Sequence, residues 1–161
     1  MKSAYRNAVA RRFHALFSGQ FPQFVLRKGR DRDMPGSRLY YRVISDSLVL
    51  FVYLIIHDNA DEFNIDIGHG PSKSPPVESF FGKPAEMLAM PASLFRLTEF
   101  WADRDPWWVV EPFSPGWSGS DPLPEHIYLP RVEALVADAV ARLAECGRPY
   151  FVQVVAKYGV L

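Results

Sequence analysis

Cysteine is almost missing from this chain. Cys146 is the single thiol among 161 residues, so no internal disulfide can form, which suits a reducing compartment and sets the expected location as cytoplasmic. Long apolar runs are also missing. No stretch reaches the roughly 18 residues of a membrane helix, so no membrane partner is expected. Acidic side chains are absent from residues 1–30, which hold Lys2, Arg6, Arg11, Arg12, Arg27, Lys28 and Arg30; all 18 acids fall later, and formal net charge is zero. Nucleophile-elbow, P-loop and dinucleotide-glycine motifs are absent. So are recognised nucleic-acid motifs, internal repeats and interdomain linkers. No cofactor is expected, and residues 1–161 read as a single domain.

The start, MKSAYRNAVARRFHALFS, is arginine-rich and acid-free like a mitochondrial presequence, without the apolar core of a secretory signal. Its Tyr5, Val9, Phe13, Leu16 and Phe17 fall on one side of a helix that Ser3 could cap and Gly19 could end, so it is read as the first helix of the domain.

What is present is led by Leu48–Ile56, LVLFVYLII, nine residues without a charge or a break. Its β-branched and aromatic content favours a strand, and its lack of alternation predicts that both faces are covered. Around it, Phe21–Arg27, Arg38–Ser45 and Phe63–Gly68 read as further strands with short connections, an antiparallel meander. Residues 85–101 read as one or two short helices, and Trp107–Val110 as a short strand. A helix follows with Pro130 in its first turn and Val132, Leu135, Val136, Ala139, Val140 and Leu143 at helical spacing; Gly147 and Pro149 stop it. A short helix carrying Phe151, Val154, Val155 and Tyr158 closes the chain. The expected fold is α+β: an antiparallel sheet of at least four strands, with the N-terminal and C-terminal helices packed on it and both faces helix-covered.

Three groups of residues could carry chemistry. His57, Asp58, Asp66 and His69 lie near the ends of adjacent strands, and imidazole with carboxylate can run acid–base chemistry or bind a metal. Their spacing fits no established metal motif; the plainer reading is a solvated Asp66 and a His57 that ends an apolar run. His14 and His126 have less context still. Trp101, Trp107, Trp108 and Trp117, with Phe100 and Phe113, could anchor a partner, since aromatics bury large area at low entropy cost; the plainer reading is a satellite core. Adjacent Trp107 and Trp108 should face opposite ways, one core and one partly exposed. Arg6, Arg11 and Arg12 with Lys2 could contact phosphate, although neutral overall charge argues against a nucleic-acid partner. Cys146 lies at a helix carboxyl end, where a reactive thiolate is disfavoured. Ser72–Ser74 and Ser114–Ser120 have no base partner in sequence.

SRLYYRV (Ser37–Val43), DEFNIDIGHG (Asp61–Gly70) and VADAVARLAECGRPYFVQVVAKYGV (Val136–Val160), in that order, resemble small bacterial α+β domains, some of which are immunity proteins beside polymorphic toxins. The resemblance implies a bacterial, cytoplasmic, non-enzymatic module that binds another protein, with an immunity-like or regulatory role. Trp107, Trp108, Trp117 and Phe113 are the candidate contact residues, and the partner could also be a second copy of the chain. The alternatives are a small hydrolase or metal-dependent enzyme using His57, Asp66 and His69, and nucleic-acid binding through the basic helix.

Overall fold

The computed structural model describes residues 1–27, 36–57, 60–70, 93–100, 107–111 and 122–158. Asp58, Trp101, Phe113, Trp117 and the two serine stretches lie outside them. Helix α1 (Ser3–Gln20) leads to strands β1 (Val25–Leu26), β2 (Arg38–Ser45), β3 (Leu48–Ile56) and β4 (Asp61–Gly70). Strand β5 (Ser93–Arg96) runs into a 3₁₀ turn (Leu97–Phe100), and β6 (Trp108–Glu111) follows. Helix α2 (Glu125–Arg142), a π turn (Leu143–Gly147) and helix α3 (Arg148–Tyr158) complete the chain. The fold is α+β. The six-stranded antiparallel sheet has the order β1-β2-β3-β4-β5, with β6 also paired to β4.

Strand β3 is the centre of the sheet and is buried at all nine positions, as its unbroken apolar run requires. Its even-numbered side chains, Leu48 to Ile56, join the core formed by Tyr5, Val9, Phe13 and Phe17 of α1, Val132, Val136 and Val140 of α2, and Phe151 and Val154 of α3. Phe17 is the hub of that layer: its ring centroid lies 4.5 Å from Tyr40, 5.0 Å from Phe21 and 5.4 Å from Phe13. Burying each such ring contributes about 2–3 kcal/mol, enough to hold α1 on the sheet despite its basic surface. The odd-numbered side chains, Val49 to Ile55, form a second cluster with Leu39, against which Tyr41 and Trp107 pack.

The three described helices therefore lie on one face, and the side chains of the other face, Val49 to Ile55, are buried as well. Over residues 93–100 the expected helix is a strand and a 3₁₀ turn. Leu94 and Leu97 have helical spacing, but the backbone of Ser93–Arg96 is taken up by pairing with His69–Asp66 of β4, which decides the conformation. Strand β1 is only two residues long. Helix α2 begins at Glu125, so Pro130 is inside it; the bond that its missing N–H forfeits falls on an exposed turn, where solvent can replace it. Gly147 and Pro149 do not stop the helical path. The widened π turn carries the helix past a proline that has no N–H to give, and Gly147 is buried there, where a Cβ would stand 2.7 Å from Leu143 Cδ1.

The first turn of α1 is tied to the far end of the sheet. The Met1 amino group donates to the His57 carbonyl at 2.7 Å, and the Lys2 backbone N–H donates to Asp61 Oδ1 at 2.7 Å. Lys2 Nζ reaches Glu111 Oε2 at 2.8 Å, the Tyr5 hydroxyl donates to the same oxygen, and it accepts the Leu123 N–H at 2.7 Å. Partial burial works to raise the Glu111 carboxyl, but the hydrogen bonds from Lys2 and Tyr5 and the charges of Lys2 and Arg131 outweigh it and hold the group below its ordinary range. Burial first, and the bond to Glu111 second, push the Tyr5 phenol up to about 12.

Candidate functional site

Side chains alternate across β4, and this alternation decides which candidates can meet. Phe63, Ile65 and Ile67 point into the helix-covered core, and His69 shares their face, opposite Leu50. Asn64 and Asp66 point the other way, Asp66 opposite Tyr53 of the second cluster. The sheet itself therefore separates Asp66 from His69, and the three-residue cluster with His57 is not assembled. Among the described residues no group of three His, Cys, Asp or Glu is placed to hold a metal ion.

Asp66 is not the solvated aspartate that the alternating pattern predicts. It is 6% exposed, and Arg96 Nε lies 3.4 Å from its Oδ1. The Arg96 guanidinium also sits over the Trp107 ring, 5.0 Å from its centre, and the His57 ring meets Trp107 edge-on at 5.4 Å. These contacts form a structural stack at the second face. Trp108 points to the opposite side, as adjacent residues in extended chain must. It is 7% exposed, lies flat on Phe63 at 5.6 Å and donates Nε1–H to Asp138 at 2.9 Å, so it is a core side chain.

The basic residues of α1 are largely committed to the fold. Arg6 Nη2 donates to the Met1 carbonyl, its stem packs on Gly36, and Arg12 lies 3.9 Å from Glu133 of α2. Arg11 is exposed. Lys2 belongs to the Asp61–Glu111 cluster. Of the four, Lys2 and Arg6 are turned into the fold, whereas Arg11 is exposed and the Arg12–Glu133 pair lies at the surface. Burial, then the Glu145 carboxylate, raise the Cys146 thiol, so the thiolate is disfavoured.

What the structure does assemble is an aromatic site at the β4–β5 edge beneath α3. His69 Nδ1 and the Tyr150 hydroxyl lie 2.8 Å apart, and the Tyr158 ring stacks on the imidazole at 5.2 Å. Burial first, and the Lys157 charge second, lower the His69 pKa from its ordinary 6.5, so the ring is neutral. Its Nε2 is buried with no hydrogen-bond partner among the described residues. Burial and then Tyr158 raise the Tyr150 phenol, which keeps its proton. A neutral imidazole bonded to a protonated phenol holds the Tyr150 ring in place; it does not make a strong base or a nucleophile.

That ring, with Phe95 of β5 and Glu99 and Phe100 of the 3₁₀ turn, lines a hollow of about 230 Å³ that is open to solvent. Phe95 and Phe100 are 38% and 42% exposed, high for side chains of this size. The three rings contact one another edge to face, at centroid separations of 5.7–6.4 Å. Sequence reasoning placed Phe95 and Phe100 on short helices and did not connect them to His69. The available signal was Tyr150 and Tyr158, eight apart and so on nearly the same side of a helix. Comparison with protein-family models, with curated proteins and with solved structures finds no match to this chain.

Proposed function

We propose that this chain is a non-enzymatic protein-binding module of the immunity or regulatory kind, acting in the bacterial cytoplasm, and that its contact surface is the Phe95–Phe100–Tyr150 hollow. One observation carries the reading: two phenylalanines stand about two-fifths exposed around a hollow whose third wall, Tyr150, is braced from beneath by His69. Exposed, braced aromatics are the usual anchors of protein interfaces, because a rigid ring loses little entropy when it is covered. The scattered positions of His57, Asp66 and His69 weigh against the enzymatic alternative, and the commitment of Lys2 and Arg6 to internal contacts weighs against nucleic acid.

The test is affinity purification of the full chain from its native cell, side by side with Phe100→Ala, with circular dichroism to show that both are folded. A protein recovered in near-equal amount with the parent chain and depleted at least about tenfold with the variant is expected, the size of a single interface anchor. Equal recovery by both chains, or no co-purifying protein, overturns the proposal.

A further inference from the structure

Three ring planes that meet at 72°, 75° and 76° stand like the walls of a box corner, and Glu99 sits on the same hollow. An apolar contact needs the rings alone; it gains nothing from a carboxylate beside them. A cation gains from both. The face of an aromatic ring is the negative pole of its quadrupole, and a positive charge within about 6 Å of a ring centre is attracted to it. The three centroids are only 5.7–6.4 Å apart, so a charge seated just above their triangle is within that reach of all three. Since the planes are nearly perpendicular, a group seated there meets ring faces as well as edges.

From this corner we infer that the hollow takes the side chain of a lysine on the partner protein, with its methylene stem against Phe95 and Phe100 and its ammonium between the rings and the Glu99 carboxylate. The inference rests on the reading of this hollow as the contact surface. Lysine fits because its stem is apolar and its charge is at the tip, the same division that the hollow shows between rings and carboxylate. A hollow of about 230 Å³ has room for that stem. The nearest arginine in sequence does not compete for Glu99. Only the Arg96 backbone N–H approaches Glu99 Oε1, at 3.4 Å, while its guanidinium is on the other face over Trp107. Lys157 lies over the Tyr158 ring and is not among the described residues lining the hollow.

The test is an NMR titration of the full chain with Nα-acetyl-lysine methylamide and with its norleucine counterpart, which has a similar stem and no charge. Shifts of the Phe95, Phe100 and Tyr150 ring resonances are followed. The lysine compound is expected to bind about three- to fivefold more tightly, the advantage of an exposed cation–π contact. Glu99→Gln should reduce that preference, and added salt should shrink it. The Nε-trimethyl-lysine analogue, whose charge is easier to desolvate, should bind at least as well as lysine. Equal binding of the two stems would overturn the cation assignment while leaving an apolar contact surface intact. A preference unchanged in Glu99→Gln would overturn the role of the carboxylate. Ring resonances moved by neither compound would overturn the inference altogether, whereas the partner-recovery experiment with Phe100→Ala decides the protein-binding reading independently.

Discussion

Tyr5→Phe removes one oxygen from a fully buried side chain and tests how the first turn of α1 is held. The hydroxyl donates to Glu111 Oε2 and accepts the Leu123 N–H at 2.7 Å, so one atom joins α1, β6 and the segment that leads into α2. The bond to Glu111 is charge-assisted and is worth about 1.5–3 kcal/mol. Leu123 is only half-buried, so its N–H can turn to water and adds little. The ring remains and no cavity opens. The expected loss is therefore about 2 kcal/mol, a fall in Tm of roughly 4–8 °C for a chain of this length. Urea denaturation at pH 7 of the parent, Tyr5→Phe, Glu111→Gln and the double variant closes a cycle. The coupling between the two sites should be about 1 kcal/mol or more.

The cycle also has a pH signature. Glu111 titrates below its ordinary value in the fold, so the unfolded chain takes up its proton first as pH falls. The stability held by this group is complete above the ordinary glutamate range and is lost as pH drops through the lower, folded value. The Tyr5–Glu111 coupling should thus persist at pH 6 and weaken in acid. A cost below about 0.5 kcal/mol for Tyr5→Phe, or additive single variants, would refute the claim that this cluster pins the helix to the sheet.

Three further outcomes are expected. His69 titrates below 6.5 in the fold, so stability should begin to fall as pH drops below about 6.5 and level off once His69 is protonated in place; His69→Gln should remove that component from a series of urea melts. Gly36 has φ +93° and the Arg6 stem occupies the space where a Cβ would stand, so Gly36→Ala should cost about 1–2 kcal/mol, and a neutral result would show that this turn relaxes freely. Asp66→Ala strips a carboxylate from beside Arg96 in a mostly buried pair; discounted for the partial exposure of Arg96, the loss should be about 1–2 kcal/mol, and a stability change near zero in thermal melts would show that the pair holds nothing.

How far the sequence could be read follows from what each residue's neighbours had to be. The run Leu48–Ile56 needed no partner to be understood, because nine uncharged residues are legible only as a strand covered on both faces, and β3 is buried along its whole length. The stripe Tyr5, Val9, Phe13 and Phe17 was legible for the same reason: helical spacing alone fixes its buried side. Strand β4 shows where such reasoning fails. Phe63, Ile65 and Ile67 alternate with Asn64, Asp66 and Gly68, the pattern of a strand with one wet face, yet Asn64 and Asp66 are buried, because that face is closed by Arg96, thirty residues downstream of Asp66, and by neighbours that no local pattern encodes. The same holds for the aromatic hollow. Tyr150 is some fifty residues from Phe95 and Phe100 in sequence, and what joins them is the pairing of β5 to β4 together with the π turn that carries the helical path past Gly147 and Pro149. A glycine followed closely by a proline is a stop signal in an isolated helix. Here the helix continues through Gly147, packed against Leu143, and brings Tyr150 over His69. The continuation of the chain's helical path past Gly147 and Pro149, not an ending there, is thus what builds the site.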